Sequence, residues 1–230
     1  MGRTGPQIIA DTIYRVAGPD ISDSRDSLVY LLDLDSPVLI DTGSGFGFDQ
    51  VISNIENAGF EPAAISNILL THCHFDHIGA ASMFRRRFGC SLFMHELDAA
   101  IVERGDNRLT AAFCFDVAFE PLPIDRILHG EDGHLQFGAH EISWIHTPGH
   151  TPGSISLYLD REGVRILFVQ DIGAPLLEEF DCDPIAWRRS VEKLLALDAD
   201  VLCDGHSGVY RSQRLVKKYF ERCIEAVLGG

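Results

Sequence analysis

Apolar residues alternate with polar ones, or run unbroken for a few positions, in some stretches of the chain, and recur every three to four residues in others. Ile8–Ala17, Ser27–Asp33 and Val38–Asp41 read as strands, with Asp35-Ser36-Pro37 as the turn between the second and third. The third strand runs into a glycine-rich turn, DTGSGFGF, and Phe48–Ala58 then has helical spacing. Ile68–Thr71 is a short apolar run closed by polar residues, the pattern of a buried strand that ends at a site. Ile78–Phe88 predicts a helix, Ser91–Met94 a strand and Glu96–Glu103 another helix. Arg104–Ile124 has no clear period and reads as an insertion. A second set of strands follows at Leu135–Phe137, Glu141–His146, Ser154–Leu159 and Arg165–Gln170. Pro184–Leu197 predicts a helix with Asp183 as N-cap and proline at its first position. Val201–Cys203 is a last strand and Ser212–Leu228 a last helix. The strands fall into two groups, each followed by helices, with no linker between them. Residues 1–230 therefore read as one α/β domain of two stacked halves.

Composition narrows the function classes. A chain of 230 residues that is 46% hydrophobic and 23% charged can bury a core without disulfide staples. Nineteen Lys and Arg against 34 Asp and Glu leave a net charge of −15. That charge repels nucleic acid and anionic membrane, so neither is an expected partner. No apolar run approaches the roughly 20 residues of a membrane span. The N-terminal stretch MGRTGPQIIADTIYRV has no apolar core of a secretory signal, and Pro6 breaks the myristoylation pattern. The six cysteines form no CxxC pair, so reduced thiols and a cytoplasmic location are expected.

The strongest chemical signal is Thr71-His72-Cys73-His74-Phe75-Asp76-His77. In an extended segment His72 and His74 point the same way, while Cys73 points opposite, into the core. Asp76 and His77 follow as the chain turns into a helix. Imidazole and carboxylate suit a borderline cation such as zinc, and these four donors already invite two metals sharing one cluster. Further donors stand at strand ends beside glycine: His150 in HTPGHTPGS, Asp171 after Arg165–Gln170, and His206 in CDGHSG. Burying so many titratable groups together is costly without a cation. His95, His129, His134, His140 and His146 read as structural.

With these motifs in this order, from IDTG at Ile40–Gly43 to DGH at Asp204–His206, the chain resembles the metallo-β-lactamase-fold hydrolases over nearly its whole length. The resemblance implies a four-layer αββα sandwich of two mixed sheets with the site at one edge. It assigns His72, His74 and His150 to one metal and Asp76, His77 and His206 to the other, with Asp171 bridging. Asp41 would support a ligand from behind; its other reading is a plain turn. The implied cofactors are two divalent ions, zinc first, with iron or manganese as alternatives.

Coordination lowers the pKa of water from 15.7 to about 7, so the expected reaction is hydrolysis of a small-molecule thioester or ester, lactones included, by metal-bound hydroxide. Asp76 would orient that hydroxide or move its proton. The intact HxHxDH motif and Asp171 resemble glyoxalase II, although only about one helix follows His206. Acyl-homoserine lactonases usually carry Tyr three residues past the bridging Asp, where this chain has Ala174. Subclass B3 β-lactamases typically lack that Asp. Two other readings stand beside hydrolysis. One is a persulfide dioxygenase with a single iron on His72, His150 and Asp171, a two-histidine-one-carboxylate set. The other is a non-catalytic metal-binding module. Phe113, Phe115 and Phe119 wall an acyl pocket, form a homodimer contact or belong to the core. The last helix sets Arg211, Arg214, Lys217, Lys218 and Arg222 opposite Leu215, Val216, Phe220 and Ile224, a solvated basic face with anion binding as its alternative.

Overall fold

Val29–Leu34 (β3) is apolar at nearly every position, which suits a strand only when both of its faces are covered. The computed structural model describes residues 5–228, so the first four residues of the N-terminal stretch lie outside it. In it Val29 and Leu31 pack toward helices, whereas Tyr30 and Leu32 face a second sheet. β3 pairs antiparallel with β2 (Ile13–Ala17) and β4 (Ser36–Ile40), and β2 with β1 (Gln7–Ala10). Beyond β4 the strands β5 (Asn67–Leu69), β6 (Ser91–His95) and β7 (Arg126–Leu128) add in parallel. The crossovers between them carry α1 (Phe48–Asn57), α2 (Phe75–Ile78), α3 (Ala81–Phe88) and α4 (Glu96–Glu103).

The second sheet has six strands: β8 (Asp132–Phe137), β9 (His140–His146), β10 (Ile155–Arg161), β11 (Val164–Val169), β12 (Val201–Asp204) and β13 (Val209–Arg211). It is antiparallel except between β11 and β12, where α5 (Pro184–Leu195) makes the crossover. Asp183 caps α5 by accepting from the Ile185 and Ala186 amides, at 2.8 and 3.0 Å. Within β11 the period of two sorts the side chains: Ile166 and Phe168 face the first sheet, Leu167 and Val169 face α5 and α6 (Gln213–Leu228). Three cores result, one between the sheets and one under each helical layer, so the expected αββα sandwich of two mixed sheets is what forms. Tyr30 ties its halves together: its ring meets Phe168 edge-on at 5.4 Å and its hydroxyl donates to the Asp204 carbonyl at 2.7 Å. Among the described residues no helix is long and apolar enough to cross a membrane.

Several local expectations change. Ile8–Ala17 is a hairpin of β1 and β2, because the polar pair Asp11-Thr12 forms a turn. The turn expected at Asp35-Ser36-Pro37 shrinks to Asp35, which takes φ 50°, while Ser36 and Pro37 belong to β4. The helix expected at Ile78–Phe88 starts earlier, at Phe75, and breaks at Gly79-Ala80, where Gly79 lies so close to the Ser44 carbonyl that a Cβ would collide with it. β7 and β13, at Arg126–Leu128 and Val209–Arg211, are strands that the sequence reading lacks; pairing at the sheet edges with β6 and β12 makes them strands. Arg104–Ile124 is irregular as expected, with one 3₁₀ turn at Ala112–Phe115.

Phe168 is fully buried between the sheets. Phe168→Ala should cost about 3–5 kcal/mol, read as a lowered midpoint in urea denaturation; an unchanged midpoint would contradict this packing.

Candidate metal centre

The short strand β5 ends at Leu69, and the next residues cross the edge of the first sheet toward the second. Thr71 fixes this exit: its amide and hydroxyl donate to Asp41 at 2.9 and 2.8 Å. Asp41 follows β4 and holds the left-handed φ of 61°, which turns its buried carboxylate under the loop. The same carboxylate meets His77 Nδ1 at 2.8 Å, which fixes that ring with Nε2 pointing outward. The plain-turn reading of Asp41 therefore gives way to a supporting one. Cys73 is fully buried in the core under the helices, as its alternation predicts.

The structure brings all seven proposed ligands together. Nitrogen or oxygen atoms of His72, His74, His150 and Asp171 lie within 4.8 Å of one another, and so do those of Asp76, His77 and His206. Asp171, at φ 58° beyond β11, stands between the two groups. Its Oδ2 faces His150 Nε2 at 3.2 Å and His72 Nε2 at 3.8 Å. Its Oδ1 faces His206 Nε2 at 3.0 Å and His77 Nε2 at 3.2 Å. Asp76 Oδ2 closes the second group, 3.5 Å from His77 Nε2 and 3.4 Å from His206 Nε2. Gly205 has no room for a side chain here, since a Cβ would strike Gln170 Oε1 and press on Asp171 and His77.

The electrostatics fit a divalent metal. Burial, reinforced by neighbouring imidazoles, pushes the pKa of His72 and His74 well below the usual histidine value. Burial also works against a charge on His77, but Asp171 and Asp76 outweigh it and lift His77 well above that value. Asp171 is buried too, yet His77 and His206 hold its carboxyl well below the carboxylate range. His74 Nδ1 and His150 Nε2 face each other at 2.8 Å, and His77 Nε2 and His206 Nε2 at 3.3 Å. The buried His72 Nε2, which faces Asp171, has no hydrogen-bond partner. Lone pairs converging in a buried space, with a polar atom left over, are a donor set that a cation satisfies.

Of the other histidines, His95 and His146 stack at 4.1 Å, and each Nε2 meets a backbone carbonyl, of Gly130 and Pro152. Their structural reading stands. Phe75 contacts Phe115 at 5.2 Å and Phe119 at 6.5 Å, so these two pack behind the Asp76 segment. Phe113 instead meets Phe180, which itself lies edge-on to His74 at 5.5 Å. Phe180 was not singled out in the sequence, because only folding carries its loop to His74. Also missed was Asp204, which accepts from the His206 and Ser207 amides and from Tyr219 Oη at 2.5 Å. Its place in CDGHSG was the available signal. A cavity of about 570 Å³ opens beside Asp171 and His206, walled by Gly173, Ala174, Tyr210, Tyr219 and Arg222.

Residues 23–206 match the family model described as the metallo-beta-lactamase superfamily. The probable metallo-hydrolase YqgX of Bacillus subtilis is 33% identical over 136 residues, 56% of this chain and 59% of its own length. Hydroxyacylglutathione hydrolase of Brucella ovis is 30% identical over 152 residues, 64% of this chain and 50% of that enzyme. The chain thus spans only about half to three-fifths of these two relatives. The metallo-beta-lactamase GOB-18 from Elizabethkingia meningoseptica shares the fold, with TM-score 0.80 over 98% of this chain and 90% of its own, at 21% identity.

The opposed shifts are measurable. In chelator-treated protein at pH 6.5, nitrogen NMR of the imidazoles should show His77 charged and His72 and His74 neutral, since the first is raised and the others lowered. Charged His72 or neutral His77 would refute this account of the cluster.

Proposed function

Because the chain belongs to the metallo-beta-lactamase superfamily and sets one carboxylate between two groups of donors, we propose that it is a metal-dependent hydrolase of small thioesters or esters, lactones included. His72, His74 and His150 would hold one divalent ion, Asp76, His77 and His206 a second, and Asp171 both, with zinc the first candidate. The observation that carries this reading is the division of Asp171, with Oδ2 toward the first group and Oδ1 toward the second. A mononuclear iron on His72, His150 and Asp171 would leave the other converging donors without a task. When bound, such ions lower the pKa of water to about 7 and polarise a scissile carbonyl.

The protein's own groups do the rest. Asp41 fixes the His77 ring, and Asp204 holds the loop that carries His206. Among the two carboxylates of the set Asp76 is the more exposed, its side chain 17% accessible against 7% for Asp171, so it is the one placed to orient water or accept its proton. Substrate would enter through the cavity beside Asp171 and His206. Arg222 on its wall has no carboxylate partner among the described residues; it lies 5.6 Å from the Tyr210 ring and donates to the Lys218 carbonyl. It favours substrates with an anionic group away from the bond that breaks.

Purified protein should contain two zinc-like ions and hydrolyse members of a thioester and lactone panel. A chelator should abolish turnover, and zinc or manganese should restore it. Cys73→Ser should retain activity, whereas Asp171→Asn should lose both metals. One iron with oxygen consumption, or chelator-resistant turnover stopped by a thiol reagent, would overturn the proposal. Arg222→Ala should raise KM for anionic substrates about tenfold and leave neutral ones unchanged, the scale of one charged hydrogen bond.

A further inference from the structure

Asp98 lies on α4, outside every motif read as a ligand, and its side chain is fully buried. Its Oδ2 accepts from the Cys73 amide at 2.8 Å and from Thr151 Oγ1 at 2.7 Å, and its Oδ1 from the Gly153 amide at 2.6 Å. No lysine or arginine pairs with it among the described residues, and burial pushes its carboxyl pKa up. What it joins matters more than its charge. Cys73 stands between His72 and His74 on the loop leaving the first sheet. Thr151 and Gly153 stand just after His150 on the loop joining β9 and β10 of the second sheet. Gly153 allows the approach, since a Cβ there would collide with the Asp98 amide and carboxylate. One carboxylate therefore clamps two loops of different sheets whose imidazoles meet at 2.8 Å.

We propose that Asp98 is a positioning residue that sets the spacing of His74 and His150 and thereby the metal affinity of the His72, His74 and His150 half of the centre. The inference rests on the metal-binding reading above. It parallels the contact of Asp41 with His77, but acts through backbone and hydroxyl donors rather than on a ring. An asparagine cannot replace it: with one acceptor oxygen and one NH₂ group, it must turn the NH₂ toward either the Gly153 amide or the Cys73 and Thr151 donors.

The test is a Zn²⁺ titration of metal-free full-length protein against a chromophoric chelator, with circular dichroism confirming each variant is folded. Asp98→Asn should keep one site at wild-type affinity and weaken the other at least tenfold. On a His150→Ala background it should add nothing, and on a His206→Ala background it should remove the tight binding that remains. Thr151→Val, which deletes a single donor, should weaken the same site about three- to fivefold. Asp26→Asn is the control: Asp26 is equally buried and accepts from Ser22, Asp23 and Ser44 but touches no ligand loop, so both affinities should persist. Unchanged affinities in Asp98→Asn, or equal weakening of both sites, would overturn the proposal with the metal reading intact. A wild-type protein that binds no zinc would overturn both.

Discussion

Everything at the edge of the two sheets follows from placing five imidazoles and two carboxylates where their polar atoms converge, most of them out of water. Such groups repel or strand one another unless something holds them in place and something positive stands among them. Asp171 does part of this through its two oxygens, one toward each group of donors. Its unusual φ, like that of Asp41, is a local strain accepted to bring a carboxylate to the right point.

That arrangement needs rigid supports, and they are buried carboxylates whose oxygens are satisfied by specific donors. Asp41 sits under Thr71 and His77, Asp98 under Cys73 and the Thr151 loop, and Asp204 under His206 and Tyr219. Asp41 and Asp98 link elements far apart in the chain, and Asp204 ties its own loop to α6. The sandwich serves them: sheets that are packed through Tyr30, Phe168 and their neighbours present strand ends side by side, so loops from both can meet. A centre built on one sheet alone would lack half its donors.

The walls around the centre differ in character. On one side Phe180 and Phe113 give an apolar rim against His74. On the other, β13 lends Tyr210, and α6 lends Tyr219 and Arg222, to a cavity beside His206. The proposed preference for a substrate with an apolar acyl part and an anionic part rests on these two walls. Arg222 is exposed, as the solvated basic face of the helical pattern implied, and it also lines this cavity.

The strand and helix layers were legible in the sequence because burial on both faces leaves continuous apolar runs, as in Val29–Leu34, and because Glu96–Glu103 and Pro184–Leu195 carry clear periods or caps. The ligand candidates were legible too, since four donors in six positions are a local pattern. The edge strands β7 and β13, the break at Gly79 and the hairpin at Asp11-Thr12 were not, because pairing and close approach rather than propensity create them. Asp98 left a faint trace, an acidic residue in line with Ile101 and Val102 on the apolar stripe of its helix. Its meaning needed the tertiary structure, because the two loops it joins are 25 and 53 residues away along the chain. Sequence determined which residues could donate; only the packing of one sheet on the other decided which atoms face Asp171, what stands behind them and where a substrate would enter.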